Sequence, residues 1–176
     1  MHFDIDKRNF TIVDVDGDGH KLQQYNRLLF CDSKKRIWAG GEMGISVFNQ
    51  VGTSLLPNTD FQIASVLKQA FVNCFYETSS GYLWIGTRNG LFALKESDKQ
   101  FLQYTTENGL PSNVIYGILE DAYGRLWIST NQGLSCLNSE SGKFRNFTIM
   151  DGLQGNQFNA GAYCRKDNGY MLFGGV

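Results

Sequence analysis

The sequence predicts an all-β chain built from about four four-stranded antiparallel sheets. Three observations predict it. Trp38, Trp84 and Trp127, which are all the tryptophans of the chain, recur with Leu172 at spacings of 46, 43 and 45 residues. Each anchor sits in a short apolar run bounded by turn-forming residues. Finally, 20 glycines and 14% aromatic residues stand against only 2 prolines, the balance of many short strands joined by glycine-bearing turns.

The elements follow from laying the repeats under one another. Lys35 to Gly41, Gly81 to Thr87, Gly124 to Thr130 and Gly169 to Gly175 align on the anchor positions. A glycine stands six residues after each tryptophan (Gly44, Gly90 and Gly133), and an apolar residue follows it. The third full unit shows four runs: Val114–Glu120, Arg125–Ser129, Leu134–Asn138 and Lys143–Thr148. These are strands A, B, C and D. Asp121-Ala122-Tyr123-Gly124 links A to B, with an Asp able to accept a backbone N–H and a Gly able to take positive φ. Asn131-Gln132-Gly133 links B to C as a tight turn.

A second complete unit spans about 71–104, and an earlier one, about 25–61, has an irregular fourth strand. Residues 62–72 come closest to a helical period and admit either a short helix or a strand D. At the C-terminal side Phe158–Arg165 and Tyr170–Gly174 read as A and B. At the N-terminal side Phe3–Asp6 and Phe10–Asp14 read as C and D.

Repeated four-stranded units of this length point to a β-propeller, partial or small. A lone sheet cannot bury both faces, whereas neighbouring blades stacked face to face can. Trp38, Trp84 and Trp127 are therefore expected in the core between sheets, and Gly90 and Gly133 in the turns. The chain reads as one segment, 1–176, with blade halves at 1–15 and 158–176. Those halves are complementary, so a ring could close within one chain or between two; a piece of a longer propeller is the third alternative. Unpaired edges predict self-association or contact with neighbouring blades of a parent protein.

Composition excludes several classes of function. Lys plus Arg is 16 and Asp plus Glu is 17, so no basic field gathers nucleic acid. No apolar run approaches the roughly 18 residues of a membrane span, and the first residues lack the basic and apolar regions of a secretory signal. His2 and His20 are the two histidines, and both lie far from any Ser or Cys motif. No catalytic set, metal site or cofactor is expected. Cys31, Cys74, Cys136 and Cys164 form no C-x-x-C pair and are expected as small buried hydrophobes.

Candidate sites come from blade topology. Antiparallel strands put the D–A and B–C links on one edge, and the A–B and C–D links on the other. Arg88, Asn89, Asn131 and Gln132 in the B–C turns thus share an edge with the connectors at Asn113 and Asn156. Amide and guanidinium donors suit sugar hydroxyls and carboxylates, although repeated turn chemistry explains the same residues. Asp14, Asp16, Asp18 and Gly19 mimic the start of a calcium loop, but its twelfth position is Tyr25, so a polar connector is expected. Glu120 and Asp121 point to opposite faces of a strand and read as strand-end and turn residues. Phe and Tyr residues recur in the strands and read mostly as core, with exposed tyrosines such as Tyr82 or Tyr123 as the alternative that would stack on a ligand.

The run Glu120 to Leu134 resembles the two-component regulator propeller repeat, as does Gly81 to Leu91. Glu107-Asn108-Gly109-Leu110-Pro111-Ser112-Asn113 and Asp151-Gly152-Leu153-Gln154-Gly155-Asn156 resemble that family's blade connector. The resemblance is strong over about 71–176 and weaker before it. It implies the periplasmic sensor region of a hybrid two-component system that detects oligosaccharides, upstream of a histidine kinase. The chain is shorter than such a sensor and carries no kinase, so it reads as a fragment. The expected function is a non-catalytic sensor segment binding oligosaccharide. A structural, self-associating module without ligand is the alternative, and a propeller glycan lyase or hydrolase stands third.

Overall fold

The computed structural model describes residues 2–4, 9–11, 26–52, 54–60, 63–95 and 100–176. The candidate calcium loop at Asp14–Gly19, its twelfth position Tyr25, and the outer parts of the two N-terminal strands lie outside the described residues. The chain divides into two compact units, 1–69 and 70–176.

In the first unit β1 (His2–Asp4) pairs antiparallel with β2 (Asn9–Thr11). A four-stranded antiparallel meander follows: β3 (Asn26–Cys31), β4 (Arg36–Gly41), β5 (Gly44–Val51) and β6 (Ser54–Pro57). Strand β6 is short and ends on Pro57, which has no N–H for the ladder and belongs at an edge. One helical turn, α1 (Ile63–Val66), comes next, so the helical alternative holds at 63–66 and strand D lies upstream at β6. Ala39 and Phe48 are buried against Ile37 and Leu55.

The second unit holds two complete blades and a hairpin. The first blade is β7 (Val72–Glu77), β8 (Tyr82–Thr87), β9 (Gly90–Lys95) and β10 (Gln100–Tyr104). The next is β11 (Ile115–Glu120), β12 (Leu126–Thr130), β13 (Gly133–Asn138) and β14 (Lys143–Phe147). The hairpin is β15 (Phe158–Arg165) with β16 (Met171–Gly175). Strand β11 packs against both β7 and β15. The all-β class and the repeated antiparallel sheets are those the sequence predicts.

Blade-on-blade packing supplies the core of this unit. Cys74, Trp84, Leu91 and Leu110 are buried with Ile115, Ile118, Leu126 and Ile128 of the next blade. Each such aliphatic side chain contributes about 1.5–3 kcal/mol when fully removed from water. Strand A carries one extra residue at the same place in three sheets: Arg27 in β3, Asn73 in β7 and Tyr116 in β11. The extra residue leaves the ladder and is re-aimed. Asn73 uses that freedom to donate from Nδ2 to the Ile115 carbonyl at 2.8 Å, tying one blade to the next.

The blade connectors are built alike. Thr105 and Thr148 cap short 3-10 helices at Thr106–Asn108 and Ile149–Asp151, each with a reciprocal capping box. Gly109 and Gly152 then take left-handed backbone at φ 110 and 96, which ends the turn. Leu110 inserts into the core, whereas Leu153 is half-buried.

Candidate functional site at the blade edges

At one edge of the second unit the connector holds the B–C turn. The Gly90 amide donates to the Asn113 carbonyl at 2.8 Å, and the Gly133 amide to the Asn156 carbonyl at 2.6 Å. Asn113 and Asn156 also accept, through Oδ1, from the first amides of the connector helices, Thr106 at 2.8 Å and Ile149 at 2.9 Å. Both turn glycines need their positive φ, 118 at Gly90 and 108 at Gly133. Thr87 and Thr130 fasten the turns from inside, each donating to the glycine carbonyl at 2.8 Å. Their hydroxyls accept from the Asn89 and Gln132 amides at 2.9 and 3.0 Å.

The four residues expected for ligand binding lie on this edge. Arg88 places its guanidinium 3.7 Å from the Phe71 ring centroid. Asn89 is exposed, and its carbonyl accepts from Gln103 Nε2 at 3.1 Å. Gln132 is exposed, while Asn131 is half-buried with its Oδ1 out of water and without a hydrogen-bond partner. Arg88 and Asn89 form one turn and Asn131 and Gln132 the equivalent turn of the next blade.

The opposite edge carries a second constellation. Asp121 Oδ1 accepts from the Tyr123 and Arg125 amides at 2.9 and 3.0 Å. Its Oδ2 accepts from Arg125 Nε at 2.6 Å and Trp127 Nε1 at 3.0 Å. Asp32 in the first unit does the same with the Lys34 and Arg36 amides, Arg36 Nε and Trp38 Nε1. Burial pushes both carboxyls up. The bonds from tryptophan and arginine outweigh it and hold both below the ordinary 3.8. The repeat alignment carries this signal, an Asp six residues and an Arg two residues ahead of the tryptophan, which the sequence reading did not use.

Trp38 is wholly buried and Trp84 is 3% exposed. Trp84 stacks on Tyr104 at 5.8 Å, and Tyr104 meets Phe144 of the next blade edge-on at 5.6 Å. Trp127 stacks on Phe147 at 5.5 Å but is only half-buried. Among the described residues the neighbouring β15–β16 sheet has two strands and presents no counterpart of Phe144 to cover it.

Glu120 and Asp121 serve different partners. The Glu120 side chain reaches to the preceding blade, where Oε2 accepts from the Ser79 amide at 3.0 Å and Oε1 from the Ser79 hydroxyl at 3.1 Å. A pocket of about 230 Å³ opens there, between Ser79 and Ser80 on one side and the 121–125 and 138–140 turns on the other. Tyr123 stands at its margin, 84% exposed. Tyr82 is half-buried, with the Lys95 ammonium 5.0 Å from its ring. The four cysteines are free thiols; Cys74 and Cys136 are buried, and Cys31 and Cys164 are exposed. Burial pushes the Cys74 thiol up to about 12, far from a reactive thiolate. Among the described residues no three His, Cys, Asp or Glu side chains gather to hold a metal ion, and no helix is long and apolar enough to cross a membrane.

Residues 67–89 and 109–132 match the two component regulator propeller family. No curated protein sequence matches the chain. Among solved structures, the chain is similar to the extracellular domain of a protein assigned as a hybrid two component system from B. thetaiotaomicron. The identity is 24% and the TM-score 0.77, over 94% of this chain and 22% of that one. It is similar to PorZ, a surface component of the type-IX secretion system of Porphyromonas gingivalis, at 16% identity and a TM-score of 0.70, over 99% of this chain and 27% of that one. A virginiamycin B lyase from Staphylococcus aureus matches at 18% identity and a TM-score of 0.63, over 88% of this chain and 51% of that one. These likenesses show the propeller fold, and the chain spans about a fifth to a half of the structures it resembles.

Proposed function

We propose that this chain, which carries two component regulator propeller repeats, is a non-catalytic segment of an extracytoplasmic sensor that recognises oligosaccharides. The reading places recognition on the edge where connectors meet B–C turns. One observation carries it: the Gly90–Asn113 and Gly133–Asn156 bonds clamp successive turns to the connectors, so Arg88, Asn89, Asn131 and Gln132 are offered from a rigid frame. Amide and guanidinium donors carried on clamped turns lose less freedom on binding than the same donors on mobile loops, which favours binding at equal contact. The intact parent would lie outside the cytoplasm and pass the signal to a kinase. Self-association belongs to the same reading: β16 is paired with β15 alone among the described residues, and strands of neighbouring blades or of a second copy would complete its sheet.

A glycan array probed with the full chain tests the reading. The expected result is binding to a defined set of oligosaccharides, weakened by Arg88→Ala and by Gln132→Ala at unchanged melting temperature. An array without signal, or unaltered binding in both variants, counts against it. A light-scattering mass above that of one chain at micromolar concentration is the outcome expected for self-association, and a monomer mass removes that part.

A further inference from the structure

The pocket on the opposite edge has no part in clamping the turns, yet it is built like a recognition site. Its wall is fixed. Glu120 is 7% exposed and held by two bonds from Ser79 across the seam between blades. The 121–125 turn is locked by four bonds to Asp121. Asn138 accepts through Oδ1 from the Glu140 and Ser141 amides, both at 3.0 Å, which leaves its Nδ2 to donate. Beside these polar groups stands an aromatic ring that folding leaves in water. Tyr123 is 84% exposed, and the Arg125 guanidinium lies 5.2 Å from its centroid.

We propose that this pocket binds one ring of a neutral oligosaccharide, stacked on Tyr123 and bonded through its hydroxyls to Glu140, Asn138 and the Ser79–Glu120 pair. A space of about 230 Å³ suits a single pyranose better than an extended chain. Carboxylates accept from sugar hydroxyls, and the Asn138 amide donates to them, so both hydrogen-bonding directions are met. An apolar sugar face against a phenol ring supplies contact area at small entropic cost. Charge sets the class. Arg125 is paired with Asp121 at 2.6 Å, so the carboxylates of Glu120 and Glu140 leave the pocket negative. Uronic and sulfated sugars are repelled, and neutral ones are admitted. The site lies on the edge away from Arg88 and Gln132 and is independent of recognition there.

The full chain is titrated calorimetrically with maltohexaose, xylohexaose and mannohexaose, and with an oligogalacturonate of the same length. At least one neutral saccharide is expected to bind, with the oligogalacturonate about tenfold weaker or more. Tyr123→Ala should weaken the neutral ligand about tenfold, and Tyr123→Phe should retain it. Tyr123 is exposed, so its variants should melt with the parent chain. Unchanged affinity in Tyr123→Ala, or equal affinity for the oligogalacturonate, overturns the pocket. Loss in Arg88→Ala with retention in Tyr123→Ala overturns the pocket while leaving oligosaccharide sensing intact. Silence with every saccharide overturns both.

Discussion

The indole of Trp127 donates from Nε1 to Oδ2 of Asp121 at 3.0 Å, closing the A–B turn onto the strand it leads into. The carboxylate serves four donors at once, two of them turn amides. Removing it leaves those donors without a partner, and the cost of such groups exceeds the worth of the bonds. Asp121→Ala should therefore destabilise the chain by roughly 2 kcal/mol in urea unfolding. The half-exposed Arg125 adds little through charge alone, because water screens it.

The same carboxylate sets an acid limb. Its folded value lies below the ordinary 3.8, so its contribution is complete above about 3.8 and is lost as pH falls through the lower folded value. Asp32 behaves alike. Asp121→Asn should start less stable at pH 6 and show a shallower loss of stability between pH values near 4 and 2, read from urea midpoints at each pH. Parallel pH profiles for the parent and Asp121→Asn would show that the carboxylate does not titrate with folding.

A third prediction concerns the seam between β11 and β15. Gly117 has ordinary backbone, yet a Cβ there would clash with the Cγ, Cδ1 and Cε1 atoms of the Tyr163 ring. The glycine is needed for close approach and not for its dihedral freedom. Gly117→Ala should cost about 1–3 kcal/mol by overpacking, measured by thermal or urea unfolding. Tyr163→Leu in the same chain should recover part of the loss, since the smaller side chain vacates the space. Backbone strain as the cause would predict no recovery.

The repeat was legible because its anchors are large, rare and periodic. Three tryptophans in one register, followed at fixed distance by Gly44, Gly90 and Gly133, define strand B and the B–C turn without any tertiary knowledge. The connector edge was equally legible, since antiparallel order alone brings the Asn113 and Asn156 links beside those turns. Two things were not. The degree of burial of Trp127 depends on the neighbouring sheet, and local pattern cannot count a neighbour's strands. The pocket at Glu120 depends on Ser79, 41 residues earlier, whose hydroxyl looks like any turn serine until blades are stacked.

The comparison of blades also exposes a defect open to repair. Six residues ahead of Trp84 stands Thr78, where the other blades place Asp32 and Asp121, and Tyr82 replaces the arginine. Thr78 keeps the turn by bonding the Tyr82 amide and carbonyl at 3.1 and 3.2 Å. It cannot reach the indole, and Trp84 Nε1 is buried without a hydrogen-bond partner. An unpaired buried donor costs on the order of 1–3 kcal/mol. Thr78→Asp with Tyr82→Arg rebuilds the arrangement seen at Asp121, Arg125 and Trp127. Tyr82 packs 6.2 Å from Trp84, so its loss offsets part of the gain. The double variant should still be more stable than the parent by about 1 kcal/mol in urea unfolding, and Thr78→Asp alone, a buried carboxylate without its arginine, should not. Equal or lower stability in the double variant would mean that the aromatic stack of Tyr82, Trp84 and Tyr104 outweighs a satisfied indole.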